Sequence, residues 1–196
     1  MHASLIVSCQ ETVSVLLNNN ADTSSRDRKW QAPLHIAAGV NASKCLTYLL
    51  NRIPNPNVTD RFGRTALHHA AVNGYNDVIE ILIARGCTVN ASDKKDCRPI
   101  HWAAHMGHTN TIELLVRNGS EINVKDRNSY TPLHVAAASG KQAAIILSLV
   151  KQLCDNVNCQ PLIIEHHFIL NYPSRICVRE GFCNKINCCM VHDVDF

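Results

Sequence analysis

The sequence predicts an all-α solenoid that is built from repeats of 33 residues and ends in an irregular C-terminal tail. Histidines, aspartates, leucines and alanine pairs each recur at a step of 33 residues, and all four series keep one register. Chance does not hold four residue types in one register over four periods. The series are His2, His35, His68, His101 and His134; Asp27, Asp60, Asp93 and Asp126; Leu34, Leu67, Ile100 and Leu133; and Ala37-Ala38, Ala70-Ala71, Ala103-Ala104 and Ala136-Ala137.

Each repeat is expected to hold two short helices joined by β-turn or hairpin loops. The register aspartate opens a turn, and the first helix starts at proline or its substitute at the first helical position. Gly74, Gly107 and Gly140 then separate the two helices. The second helix is amphipathic in segments such as "KCLTYLL" and "DVIEILI", whose apolar residues recur three and four apart. One copy buries too little apolar surface to fold alone, so neighbouring copies must stack.

The register also sets the domain boundaries. We expect four repeats at residues 27–59, 60–92, 93–125 and 126–152, after a partial and degenerate copy at residues 1–26. Residues 153–196 lack the repeat motif and contain six of the ten cysteines. Three interpretations of this tail stay open: a divergent chain end, an irregular apolar lid on the last repeat, or a small zinc-binding module. Its cysteine spacing lacks the paired C-x2-C of common zinc modules.

Composition narrows the functional classes. A net charge of +3 and an aromatic content of 5% argue against nucleic-acid binding. No apolar run reaches the length of a membrane span, and the N-terminus is a poor signal peptide. We therefore expect reduced cysteines and a cytoplasmic or nuclear location, or both. No hydrolase, phosphate-binding or dinucleotide-binding motif occurs, so neither catalysis nor a cofactor is expected.

The segment "HWAAHMGH" spaces His101, His105 and His108 in a manner that zinc proteins also use. His101 belongs to the histidine series, whereas Gly107 breaks the helix before His108. The three side chains are therefore not expected to share a face, and no metal site is predicted here. Adjacent His68 and His69 point about 100° apart on a helix and are not expected to converge either.

The four motif lines resemble ankyrin repeats, whose signature is T-P-L-H-x-A-A with a glycine soon after. They read "DRKWQAPLHIAAGVN", "DRFGRTALHHAAVNG", "DKKDCRPIHWAAHMG" and "DRNSYTPLHVAAASG". The resemblance implies a protein-binding scaffold. It also implies that the motif histidine forms hydrogen bonds near the turn that starts the first helix.

A narrower resemblance covers about residues 2 to 140, which look like consecutive repeats of the ankyrin-repeat regulatory subunits of protein phosphatase 6. That family has many more repeats, so the resemblance implies a short, monomeric N-terminal segment of such a subunit. It further implies catalytic and regulatory chains of phosphatase 6 as partners. A general ankyrin adaptor for a signalling or cytoskeletal protein is the first alternative, and a zinc module in the tail is the second.

Two surfaces are candidates for partner contact. A basic row formed by Arg28, Arg61, Lys94 and Arg127 follows the register aspartates and suits an acidic partner, although solvated Asp–basic turns would show the same pattern. The first helices present variable positions that we call the inner strip. The strip comprises Gly39-Val40, Val72-Asn73, His105-Met106 and Ala138-Ser139. Trp102, beside the motif histidine, is expected to pack between helices.

A third pattern concerns loop asparagines at the repeat step, namely Asn57, Asn90 and Asn123. The ankyrin resemblance implies that Asn90 and Asn123 are candidate substrates for asparaginyl hydroxylation. The alternative is structural, because asparagine stabilises loops by bonding its own backbone.

Overall fold

Eight helices lie within residues 10–140, the part of the chain that the computed structural model describes. They are α1 (Gln10–Asn18), α2 (Pro33–Gly39), α3 (Ser43–Leu50), α4 (Ala66–Asn73), α5 (Asn76–Ala84), α6 (Pro99–Met106), α7 (Thr109–Arg117) and α8 (Pro132–Ala138). Turns and loops without strands connect these helices in the described range. The predicted helical solenoid is confirmed.

The first helix of each repeat starts where the motif predicts. Pro33, Pro99 and Pro132 occupy the first turn, and Ala66 substitutes for proline in the fourth helix. Proline suits this position because its missing N–H would have no partner inside the helix. Gly74 ends α4 with φ of +73°, which an L-residue adopts only at a cost.

The core is built from the series that recur at the repeat step. All six alanines of the first three pairs are fully buried, as are Leu34, Leu67 and Ile100. The second helices add apolar side chains to the same core, and each fully buried leucine or isoleucine contributes about 1.5–3 kcal/mol. These side chains are Leu46, Leu49, Ile79, Leu82, Ile112 and Leu115.

The main helix contacts in the described range are between neighbours in the array. The first helices follow each other in the order α2, α4, α6 and α8, and the second helices in the order α1, α3, α5 and α7. Within each repeat the two helices also pack together, as in α2 with α3. Stability is therefore expected to be a sum of repeats and nearest-neighbour interfaces.

Three predictions lie outside the described residues. They are the start of the partial repeat before residue 10, the end of the last repeat at residues 141–152, and everything predicted for residues 153–196. Among residues 10–140, no helix combines the length and the apolar character that a membrane crossing requires.

Candidate protein-interaction surface

Each register aspartate holds the turn that follows it. In Asp60, Oδ1 accepts hydrogen bonds from the amides of Phe62 at 2.8 Å and Arg64 at 2.9 Å. The same two-residue and four-residue bonds recur at Asp27, Asp93 and Asp126. These carboxylates therefore bond their own backbone rather than the basic side chain that follows each of them in sequence.

The fourth residue of every turn has a left-handed backbone. The φ angles are +62° at Trp30, +78° at Gly63, +59° at Asp96 and +64° at Ser129. Only one of these residues is glycine, so the pattern cannot be read from residue type. Gly63 also permits a close approach, because a Cβ atom there would lie 3.0 Å from the amide nitrogen of Lys94.

The basic row lies at the turn tips. Arg28, Arg61, Lys94 and Arg127 are all exposed. The tips of consecutive repeats are joined by backbone hydrogen bonds from Lys94 to Phe62 at 2.9 Å and from Arg127 to Lys95 at 3.0 Å. This pairing fixes the spacing of at least the last three tips.

The motif histidines connect each repeat to the next. His68 Nδ1 accepts the amide hydrogen of Thr65 at 3.1 Å, and Nε2 donates to the carbonyl of Cys97 in the following repeat at 3.1 Å. His35 and His101 make the equivalent pairs, with Arg64 and Tyr130 as the distant acceptors. The hydrogen bond near the turn is confirmed, and the second bond, which spans repeats, is new.

This geometry requires a neutral imidazole, since Nδ1 must accept while Nε2 donates. Burial lowers the pKa of His35 and of His68 to about 4 in each case. Burial also lowers the pKa of His101. His35, His68 and His101 thus have a structural role and stay uncharged near neutral pH.

The loop asparagines also join repeats. Asn90 Nδ2 donates to the carbonyl of Gly119 at 2.9 Å, while Oδ1 accepts the amide hydrogen of Glu121 at 3.1 Å. Asn57 makes the matching bonds to Gly86 and Thr88. The structural alternative was wrong in one respect, because both side chains bond the next loop instead of their own backbone.

The inner strip is partly engaged with its neighbours. His105 Nδ1 lies 2.6 Å from Ser139 Oγ, and the Ser139 hydroxyl donates to Val135, so the histidine is the donor. Asn73 donates to the carbonyls of His69 and Gly39. Met106 is 41% exposed and Val72 is half-buried, so they offer apolar surface beside these fixed polar groups.

A cation–aromatic cluster joins the two middle repeats. The guanidinium carbon of Arg64 lies 4.1 Å from the Trp102 ring centre and 5.3 Å from that of Phe62. Trp102 Nε1 donates to Asp93 Oδ2 at 3.1 Å, nine residues back in the chain. His69 uses the same spacing to donate to Asp60 at 3.0 Å. The spacing of nine residues between the turn aspartate and the ring is a sequence signal for this contact.

The three histidines of "HWAAHMGH" separate as expected. His101 faces Tyr130, His105 faces Ser139, and His108 Nε2 donates to the carbonyl of Val72 at 3.0 Å. The His108 ring occupies the space beside Gly74, where a Cβ atom would lie 2.8 Å from it. Within residues 10–140, no three metal-binding side chains are grouped closely enough to hold an ion.

Two cysteines in the described range, Cys87 and Cys97, are poor nucleophiles. Cys45 and Cys87 are buried, and Cys97 is half-buried. Burial raises the pKa of Cys87 to about 11, and the pKa of Cys97 is raised to about 11 by burial and by Asp93 and Asp126. The thiols of Cys87 and Cys97 are therefore protonated at neutral pH.

Comparison with known families agrees with this architecture. A family description, "Ankyrin repeats (3 copies)", matches residues 1–93 and residues 91–164. The chain therefore belongs to the ankyrin-repeat family, whose members are protein-interaction modules. No curated protein matches the sequence.

Proposed function

We propose that this ankyrin-repeat scaffold serves the protein phosphatase 6 holoenzyme, as a regulatory subunit or a segment of one. The proposal is carried by the residues between the positions that recur every 33 residues. Segments such as "DKKDCRPIHWAAHMGH" resemble consecutive repeats of those subunits. In that role the array helps to assemble the catalytic and regulatory chains and presents substrates to them. A monomer in the cytoplasm, the nucleus or both is consistent with this role.

The packing supports a macromolecular partner. The residues that recur every 33 positions are engaged in contacts inside the array, so they are not available for recognition. The residues left over lie on the turn tips and the inner strip, and both surfaces extend over several repeats. The proposed contact residues are Arg28, Arg61, Lys94 and Arg127 on the tips and Val72, Asn73, His105 and Met106 on the strip.

Capture with purified components tests the assignment. The chain is immobilised and exposed to the catalytic chain of phosphatase 6, alone and with its other regulatory chains. We expect retention of at least one phosphatase 6 chain. No retention by this chain or by a longer array with the same motif lines would reject the assignment and leave the ankyrin scaffold unaffected.

The two surfaces should affect binding in different ways. Reversal of Arg61 and Lys94 to glutamate should slow association, because exposed charges steer encounter. Replacement of His105 and Met106 by alanine should instead speed dissociation, because it removes contact area. Surface plasmon resonance separates the two rates. Equal effects of both variants on both rates would contradict this division.

The alternative is a general adaptor for another signalling or cytoskeletal protein, a role that membership of the ankyrin-repeat family supports by itself. The same capture experiment distinguishes it, because the phosphatase chains would then not be retained. The zinc module predicted for residues 153–196 lies outside the described residues. Metal analysis of the purified chain tests it directly.

A further inference from the structure

The turn tips carry cationic and aromatic side chains together. We call this set the tip surface, and all of its members are exposed. Trp30 is 60% exposed and Phe62 is 53% exposed, which is unusual for side chains of this size. The tip surface comprises Arg28, Lys29, Trp30, Arg61, Phe62, Lys94, Lys95 and Arg127.

The carboxylates nearby do not satisfy these cations. Each register aspartate accepts two backbone amides, and in the middle repeats its second oxygen accepts a ring N–H from His69 or Trp102. One ion pair forms within the described tips, between Arg127 and Asp96 at 3.8 Å. Both of its side chains are more than half exposed, so the pair is worth about 0–1 kcal/mol. The tip surface therefore has unsatisfied positive charge.

The distance between neighbouring tips favours a ligand with an extended backbone. Neighbouring repeats are separated by the packing distance of helices, about 8–10 Å. An extended chain in the polyproline II conformation advances about 3.1 Å per residue with three residues per turn, so every third side chain lies on one face and about three ligand residues span one repeat. A segment of about ten to twelve residues then reaches all four tips. A helix rises about 1.5 Å per residue, so it needs about six residues to span one repeat, twice as many as the extended chain.

We propose that the tip surface binds an extended acidic segment of a partner protein in the polyproline II conformation, with carboxylates about three residues apart. An apolar residue at one end of the segment contacts Trp30 and Phe62, the exposed aromatic side chains of the first two tips. This inference rests on the scaffold function and names the chemistry of the partner. It does not depend on the phosphatase assignment.

Fluorescently labelled peptides test the proposal with the full chain. One peptide places glutamate at every third position and ends in leucine, and a second has the same composition with its glutamates clustered. We expect the clustered peptide to bind about tenfold more weakly, although net charge is equal. Fluorescence anisotropy at several salt concentrations measures both affinities.

Variants locate the binding site. Arg61→Glu with Lys94→Glu should weaken the spaced peptide by at least about tenfold. Lys44→Glu with Arg52→Glu is the matched control, because both residues are exposed away from the tips and the change in net charge is the same. Trp30→Ser with Phe62→Ser should weaken only peptides with the terminal leucine. Serine is compatible with the Trp30 backbone, since Ser129 has the same conformation.

Several outcomes would overturn the proposal. They are absence of measurable binding, equal affinity for spaced and clustered peptides, or an equal loss in the control variant. Stronger competition by a single-stranded oligonucleotide of equal charge would also overturn it, in favour of a nucleic-acid surface. Circular dichroism of each variant confirms that any loss is not unfolding. A failed capture of phosphatase 6 leaves these measurements unaffected, so the two proposals fail separately.

Discussion

At the scale of single residues, the fourth position of each turn combines a fixed conformation with free choice of side chain. A left-handed backbone costs an L-residue about 1 kcal/mol or more relative to glycine. Ser129 and Trp30 tolerate this cost because the aspartate three residues earlier holds the turn with two hydrogen bonds. The tips can therefore vary in chemistry while they keep one shape.

A reciprocal exchange tests this cost. Ser129→Gly should raise the free energy of unfolding by about 1 kcal/mol, since glycine relieves the left-handed strain. Gly63→Ser should lower it by about 1–3 kcal/mol, because it adds both strain and a contact with the Lys94 backbone. Urea denaturation of the full chain measures both. A stabilising effect of Gly63→Ser would contradict this account.

The buried motif histidines His35 and His68 predict a pH dependence of stability. Their pKa values in the fold, about 4 for His35 and for His68, lie below the ordinary value of 6.5. The unfolded chain therefore binds more protons than the folded chain between pH 4 and pH 6.5. The stability that these two histidines contribute is fully present above pH 6.5 and is lost as the pH falls toward 4. Each histidine contributes up to about 1.4 kcal/mol per pH unit.

Urea titrations across that window measure the slope, and the His68→Gln variant supplies the control. Glutamine does not titrate, so the variant should lose one histidine's share of the slope even if it is less stable at every pH. The same slope in both proteins would show that His68 is not responsible.

At the scale of elements, hydrogen bonds between consecutive loops join the repeats. Asn90→Ala removes both the donor and the acceptor that bind Gly119 and Glu121. We expect a loss of about 1–3 kcal/mol, because two hydrogen bonds contribute about 0.5–1.5 kcal/mol each. Asn110→Ala is the control, since that asparagine is exposed on α7 and should change stability by less than about 0.5 kcal/mol. Equal losses in the two variants would contradict the role of the bridge.

The same bridge bears on the proposed hydroxylation of Asn90 and Asn123. At Asn90 the side chain is held by the next loop, so an enzyme reaches it only after that loop opens. We expect a mass increase of one oxygen atom on the Asn90 peptide from cells that express the chain, and a larger modified fraction when the neighbouring repeat is destabilised. Unmodified peptides for both asparagines in cells with active hydroxylase would reject the proposal.

The sequence predicted the parts of these elements that repeat in residue type. Buried histidines, alanines and leucines were found because a constant side chain fills each core position. The left-handed turns were missed because Gly63 is the only glycine among them. Backbone acceptors such as Cys97 and Tyr130 were missed because a carbonyl leaves no trace in residue identity. The Arg64–Trp102 cluster occurs once, so no period could reveal it.

At the scale of the whole molecule, stability should be highest where neighbours flank a repeat on both sides. The repeats at residues 60–125 bond the following repeat through His68, His101 and Asn90. By contrast, the buried residues of α1 are Val13 and Leu17. We expect slower amide exchange in α5 and α7 than in α1. Hydrogen-exchange mass spectrometry measures this order. Equal or slower exchange in α1 would contradict it.

The bridges of the motif histidines and of the loop asparagines run in one direction, from a side chain to a backbone group 29 or 31 residues later in the chain. Asn73 and His108 bond backbone groups of the preceding repeat instead. A tensile force applied at the two ends of the chain would therefore load these bridges one after another. Rupture of the bridges at one repeat junction leaves those at the next intact, because each of these bridges joins adjacent repeats. Each event would release one repeat of 33 residues, about 110–120 Å of extended chain. The array should thus lengthen in equal steps and absorb work at each one, in contrast to a globular core that fails at once.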